Sequence, residues 1–446
     1  MLDSAGLARQ AYSLLLRLGT PAYLWRVWSR GRTEPGYRAV WWERLGLYGP
    51  AYRAALAQHR HAAQGEFRPL VWLHAVSLGE TRAVAPLIDA LRAKRPDMRL
   101  LLTHSTATGR EAGQKLLQPG DLQTWLPFDT PGAVRRFLAL HRPLGGVLME
   151  TEVWPNVQHV AREMGVPMIL ANGRLSEKSL KQGLRLSALM RPAAQAMRLV
   201  QAQTRADADR FERMGAERVE VSGNIKFDMT PSEALLARGE AWRQASGGRG
   251  IVMMASSREG EEPELLAAWQ AQRQTRQAQG MPRLWIVPRH PQRFDEVARM
   301  VEQAGLSLSR RSAWPDGKPD AVAQQADVWL GDSIGEMPAY YAAADVALLG
   351  GSFQPLGGQN LIEAAACGCP IVMGPSTFNF AEAAELSEAA GAAFRVADFV
   401  TGVVTALAIS QPEKLPAAQA AARAFSLAHR GAASHAAASI WGELAP

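Results

Sequence analysis

Residues 71–91 read VWLHAVSLGETRAVAPLIDAL, a short apolar run that passes through Ser77-Leu78-Gly79-Glu80 into apolar residues at helical spacing. That is a buried strand giving way to a helix, the first half of a βαβ unit. Three readings compete for the turn. Ser77 and Glu80 fit an S-x-x-E capping box, in which side chains satisfy orphan backbone N–H groups. Ala75 to Gly79 imitate a nucleophile elbow, with Ala75 where that motif wants Gly. Glu80 also suits a general base aimed over the carboxyl edge of a sheet.

The pattern repeats outward from this unit. LVWLHAV, RLLLTHST, LGGVLME and VPMILAN are strand-like runs between residues 70 and 172, separated by helical patterns such as PGAVRRFLALH. LVQAQT and RVEVSGNIKF continue the alternation, and a polar, Gly-rich junction follows near 228–248. A second alternation runs through GIVMMASS, RLWIVPRHP, DVWLGD, DVALLGGS and PIVMGP. The expectation is an α/β chain of two doubly wound Rossmann-like domains facing a cleft, where such sheets bind ligands. Boundaries fall at 34–235 and 236–446, the second domain ending in Ala-rich helices with a break near Gly431. Residues 309–325 read as a surface loop.

A chain of 446 residues, 47% hydrophobic and 20% charged, has ample material for two cores. Cys367 and Cys369 are the only cysteines, too few for a structural zinc site, and they fit a reducing compartment. Four of the seven net positive charges lie in the first fifty residues, which is no nucleic-acid surface. Residues 1–33 contain QAYSLLLRLGTPAYLWRVWSRGR, where Arg17, Pro21 and Arg26 interrupt any spanning run. Arginines among Leu, Trp and Tyr suit a helix lying on a membrane surface, and a helix packed on its own domain fits as well.

Several loops carry candidate chemistry. In the second half Gly350-Gly351 and Gly357-Gly358 precede a helix opened by Asn360, with Glu363 in its first turn, an arrangement that suits a nucleotide phosphate and also a plain cap. Arg289, His290 and Arg293 follow a strand as either an anion contact or a solvated loop, and Gly335-Glu336 open another helix. In the first half Glu150 and Glu152 lie just past a strand, where carboxylates are costly unless paired or useful. Arg174, Ser176, Lys178 and Lys226 supply polar and cationic loops. Asp207 and Asp209 match D-x-D but sit in a helical pattern and read as exposed, so no metal site is expected.

Together, EPGYRAVWWERLG, HAVSLGE, METEVWPN, GNIKFD, ASSREGEE, PRHPQRF, GDSIGEM and GGSFQPLGGQNLIEAAACGCPIVMGPSTFNF resemble the 3-deoxy-D-manno-octulosonic acid (Kdo) transferases of lipopolysaccharide synthesis over nearly the whole chain. Gln359 departs from that pattern, where the family usually has His. The resemblance implies a GT-B fold, CMP-Kdo as donor substrate, a lipid A precursor (lipid IVA) as acceptor, no cofactor and no metal, and work at the cytoplasmic face of the inner membrane. It places the general base on Glu80 and transition-state stabilisers on Glu150 and Lys226. Donor contacts fall on Pro288, Arg289, Ile334, Gly335, Glu336, Asn360, Leu361, Ile362 and Glu363. A helix start at Glu80 is expected to keep that carboxylate ionised, at some expense in basicity. Two rivals stand beside this reading: a serine hydrolase built on Ser77 with a later Asp and a His such as His290 or His429, and a silent sugar-nucleotide-binding protein at a membrane.

Overall fold

The computed structural model describes residues 4–61, 68–275 and 280–444. The chain forms two compact units, residues 1–228 with 431–446, and residues 229–430. The first holds a parallel sheet of β1 (Leu70–His74), β2 (Arg99–His104), β3 (Leu122–Trp125), β4 (Gly145–Met149), β5 (Met168–Gly173), β6 (Leu199–Ala202) and β7 (Val219–Val221), in the order β3-β2-β1-β4-β5-β6-β7. Every residue of β1 is buried because helices cover both faces of the sheet. Trp72 faces one layer with Phe137 and Val160, and Val71 and Leu73 face the other with Ile88 and Leu91. The strand order reverses between β1 and β4, so the loops after His74 and Met149 open side by side at the switch point.

The last helix, Ala432–Leu444, belongs to this first unit, which corrects the expectation that the second domain runs to 446. Ala433, Ala436, Ala437, Ile440 and Leu444 are buried against the layer that contains Val71 and Leu73. Gly145 leaves room for it, since a Cβ there would meet Leu444 Cδ2 at 2.2 Å. The Asp228 carboxylate accepts the N–H groups of Gly431 and Ala433, fixing the helix start.

The first helix, Ser4–Arg30, packs on the same unit by one edge. Tyr12 donates to Asp129 Oδ2 at 2.9 Å and Ser13 to Asn156 Oδ1 at 3.0 Å, while Val27 is buried. Leu7, Leu14, Leu15, Leu18, Trp25 and Trp28 stay exposed on its outer side. Among the described residues no helix is long and apolar enough to cross a membrane.

The second unit has its own seven parallel strands: β8 (Ile251–Ser257), β9 (Arg283–Pro288), β10 (Leu308–Arg310), β11 (Val328–Leu330), β12 (Val346–Leu349), β13 (Ile371–Met373) and β14 (Ala393–Arg395). Their order is β10-β11-β9-β8-β12-β13-β14. Its switch point lies between β8 and β12. One face packs Val252, Met254, Leu284 and Ile286, and aromatic contacts link Trp242, Trp285, Trp314, Trp329 and Tyr340. Residues 309–325 are therefore more than a surface loop. The edge strand β10 runs into them, Ala321–Gln325 is helical, and Trp314 is buried in the aromatic cluster with its indole N–H on Ser309 Oγ.

Candidate active site

At the switch point of the first unit the opening turn does two jobs. Ser77 caps the six-residue helix Leu78–Ala83 by accepting the Glu80 N–H, and Glu80 Oε2 accepts the Val76 N–H at 2.8 Å. This is a cap with the carboxylate reaching one residue further back than a capping box does. Gly109 allows the following helix to close on the turn, where a Cβ would meet Val76 O at 3.2 Å. The Ser77 hydroxyl is thus used as a cap, and no histidine contact to it occurs among the described residues. Ser77→Ala should cost about 0.5–1 kcal/mol, the low end for a lost cap because the bond is long at 3.4 Å. A denaturant midpoint measures that loss, and turnover should stay near the parent's.

Glu80 is mostly buried, and burial pushes its carboxyl up to about 7. The Val76 N–H and Lys226 pull it down, while Glu150 and Glu152 add to the rise. The expectation that a helix start keeps this group ionised near neutral pH is met only in part, because loss of water outweighs one N–H bond and raises its pKa. The outcome favours base chemistry, since a carboxylate poised near neutrality accepts a proton more readily than one near 4.

Glu150 follows β4 in the left-handed region at φ 57°, and its Oε1 lies 2.7 Å from Lys226 Nζ. A non-glycine residue held there costs about 1–2 kcal/mol, which the surrounding hydrogen bonds must offset. Its N–H donates to Ala171 O and its carbonyl accepts the Arg174 N–H. Lys226 stands in the short turn Ile225–Asp228, and that turn is held by a residue the sequence reading passed over. Buried Asn172, also left-handed at φ 54°, accepts the Ile225 N–H on Oδ1 at 3.0 Å. Asn is among the residues that tolerate this conformation, which is the signal that was available. The structure therefore brings Glu80, Glu150, Glu152 and Lys226 into mutual electrostatic range. Ser176 instead caps the helix Glu177–Arg185, and Lys178 is exposed. Asp207 is buried, not exposed, because it accepts the Leu175 N–H and pairs with Arg210.

In the second unit, Ser256 sits at φ 58° in a bulge at the end of β8. Buried Glu261 accepts N–H groups from Arg258, Gly351 and Phe353, and so ties the loop after β12 to the loop after β8. Gly350 is required at that crossing, since a Cβ would meet Ser256 O at 2.2 Å. Arg289 follows β9 with an exposed side chain, its N–H on Ser257 O at 3.0 Å. Arg293 is no anion contact. It is buried and grips Glu262 with two bonds of 2.7 and 3.0 Å. Pro288 ends β9, while Ile334 and Gly335 are exposed on the loop after β11. The Glu336 carboxylate receives Arg238, Arg311 and Ser333. Asn360 caps the helix Leu361–Ala366 by accepting the Ile362 N–H, the side chains of Leu361 and Ile362 are fully buried, and Glu363 is half-buried.

The family model described as 3-deoxy-D-manno-octulosonic-acid transferase (kdotransferase) matches residues 39–229. The 3-deoxy-D-manno-octulosonic acid transferase of Bordetella pertussis is 47% identical over 96% of this chain and 97% of its own length. The chain belongs to the Kdo transferase family. It is therefore an enzyme, a glycosyltransferase of that class. The Haemophilus influenzae transferase is 31% identical, with 83% of each chain covered. A glycosyltransferase from Rickettsia africae superposes with a TM-score of 0.56 over 84% of this chain and 98% of that one, at 10% identity. UDP-GlcNAc 2-epimerase from Neisseria meningitidis gives 0.54 over 85% and 99%, at 14% identity. These likenesses concern the fold alone, two Rossmann-like units of GT-B type. The family membership displaces the hydrolase built on Ser77.

Proposed function

We propose that the enzyme transfers Kdo from CMP-Kdo to a lipid A precursor at the cytoplasmic face of the inner membrane, without a metal, using Glu80 as general base. The observation that carries this reading is a carboxyl raised to about 7 beside the Glu150–Lys226 pair at a sheet switch point. The acceptor hydroxyl oxygen attacks the anomeric carbon as Glu80 takes its proton. The bond from that carbon to the donor phosphate breaks, and CMP leaves with the electron pair. Lys226, oriented by Glu150 and by the Asn172-held turn, offers positive charge to the reacting centre.

Arg289 is the exposed cation that suits the leaving phosphate, and Pro288 stiffens its loop. Ile334, Gly335 and Glu336, with Asn360, Leu361, Ile362 and Glu363, complete the donor loops. Leu361 and Ile362 act through backbone, because their side chains are buried. Arg289→Ala should raise KM for CMP-Kdo about tenfold or more, the equivalent of one charge-assisted hydrogen bond, and leave KM for the acceptor within about twofold. Steady-state kinetics with each substrate varied in turn measures both. A larger effect on the acceptor would reverse the roles of the two units.

The reaction itself is tested by incubating the protein with CMP-Kdo and lipid IVA and weighing the lipid by mass spectrometry. The reading expects the lipid to gain the mass of Kdo, in EDTA as without it. Binding of CMP in a calorimeter with no mass gain would instead mark a silent binding protein.

A further inference from the structure

Beside the turn that holds Glu80, the first unit forms a half-open pocket of about 320 Å³ that no step above uses. Its walls include Tyr23, Arg26 and Arg30 from the first helix, Arg44, and Thr106 and Phe128 from the loops after β2 and β3. Val76 also lines it, and the Val76 N–H is the one bonded to Glu80. Thr106 donates to the Val76 carbonyl at 3.1 Å, so cavity and base share one backbone unit.

Arg44 is what sets this cavity apart. Its side chain is 1% exposed, and among the described residues its guanidinium hydrogen-bonds only the Tyr23 hydroxyl at 2.8 Å and the Ser105 carbonyl at 3.1 Å, with the Trp125 ring centroid 3.9 Å away. Among the described residues its Nε has no hydrogen-bond partner and no carboxylate pairs with it. The neighbouring carboxylate of Glu43 is taken by Arg110 and the Trp125 N–H. A buried cation without a counter-charge is costly, and an anionic ligand in the pocket would supply the missing charge. The one carboxylate in the lining, Asp129, is occupied by Tyr12 and by the Asn156 and Val157 N–H groups.

We infer that this cavity binds a phosphate monoester on the acceptor's sugar headgroup, with Arg26, Arg30 and Arg44 as its specificity-determining residues. The inference rests on the acceptor reading proposed above. Arginine forks match phosphate oxygens, and the volume exceeds that of a lone phosphate, leaving room for part of the sugar. Tyr23, Arg26 and Arg30 line this pocket from the helix whose other side carries exposed Trp25 and Trp28, and both arginines remain open to solvent. One helix thus serves a headgroup within and an apolar surface without.

The test uses the double variant Arg26→Gln/Arg30→Gln in the full chain, since both side chains are open to solvent and neither forms an ion pair among those the structure shows, with the denaturant midpoint of the variant checking that the fold is kept. By calorimetry, N-acetylglucosamine 1-phosphate should bind the parent and lose about 10²-fold in affinity in the variant, about tenfold per arginine. Unphosphorylated N-acetylglucosamine should bind neither. In turnover, KM for the phosphorylated acceptor should rise with kcat little changed, and acceptor stripped by phosphatase should be used equally by both proteins. Equal sugar-phosphate binding in parent and variant overturns the inference, as does an equal rise in KM on the stripped acceptor. Inorganic phosphate binding as tightly as the sugar phosphate overturns the headgroup assignment. Arginine-dependent sugar-phosphate binding without any transfer would retain this site and reject the proposed acceptor reaction.

Discussion

Glu80→Gln should lower kcat by about 10²–10⁴-fold, the range for removing a general base, while calorimetric CMP affinity should stay unchanged. The amide oxygen still accepts the Val76 N–H, so the turn keeps its shape and only the proton acceptor is lost. In the parent, kcat/KM should fall as pH drops through about 7, since on the proposed mechanism protonation of Glu80 removes the base. Stability carries the opposite sign. Below pH 4.5 the carboxyl is protonated in both folded and unfolded chains and contributes nothing. Between 4.5 and about 7 only the unfolded chain ionises, so stability falls as pH rises through this window and then levels off. With allowance for the part of the group open to water, the loss is about 1–2 kcal/mol. Glu80→Gln escapes it and should be more stable than the parent at pH 8 by that amount, and no more stable at pH 4. Near-parent turnover would remove Glu80 from the mechanism, and a variant less stable at pH 8 would overturn the raised pKa of its carboxyl.

The alternation of apolar runs and helical patterns made the two parallel sheets legible, because strands buried on both faces must be continuously apolar. Short edge strands gave weaker signals. Leu122–Trp125 is interrupted by Gln123 and Thr124, and Leu308–Arg310 is only half-buried, so neither stood out. The final helix was readable as a helix but not as a return to the first unit, since its Ala and Ile face does not name its partner. In the site, Ser77 and Glu80 were correctly read as neighbours across a helix start. What could not be read was burial, and burial decides the basicity of Glu80, the retirement of Arg293 into a pair with Glu262, and the buried role of Asp207. Asn172 was hidden for another reason. Its task is a backbone conformation and one bond to Ile225, which no residue spacing announces.

Leu14→Glu, Leu18→Glu and Trp25→Glu together should release the enzyme from anionic vesicles, lowering partition about 10³-fold or more. Leu7, Leu14, Leu18 and Trp25 are spaced by seven, four and seven residues, which at 3.6 residues per turn sets them within roughly 20° of one line. All four are more than half exposed, so the stripe is unsupported by the protein's own core. Each Leu or Trp withdrawn from an apolar phase forfeits about 1.5–3 kcal/mol, and the new carboxylates add repulsion from anionic headgroups. The opposite edge of the helix is tied down through Tyr12, Ser13 and Val27, none of which the variant touches, so its fold should hold. On the proposed reading, a helix packed by one edge and apolar on the other would lie on a bilayer rather than across it. Transfer to lipid presented in vesicles should therefore collapse, and transfer to detergent-dispersed acceptor should stay within about twofold, because the base and its neighbours are intact. Flotation with vesicles at the parent's level would place the membrane contact elsewhere. Equal loss of transfer in both formats would make this stripe part of the catalytic fold, since only a surface role spares a substrate already brought into solution.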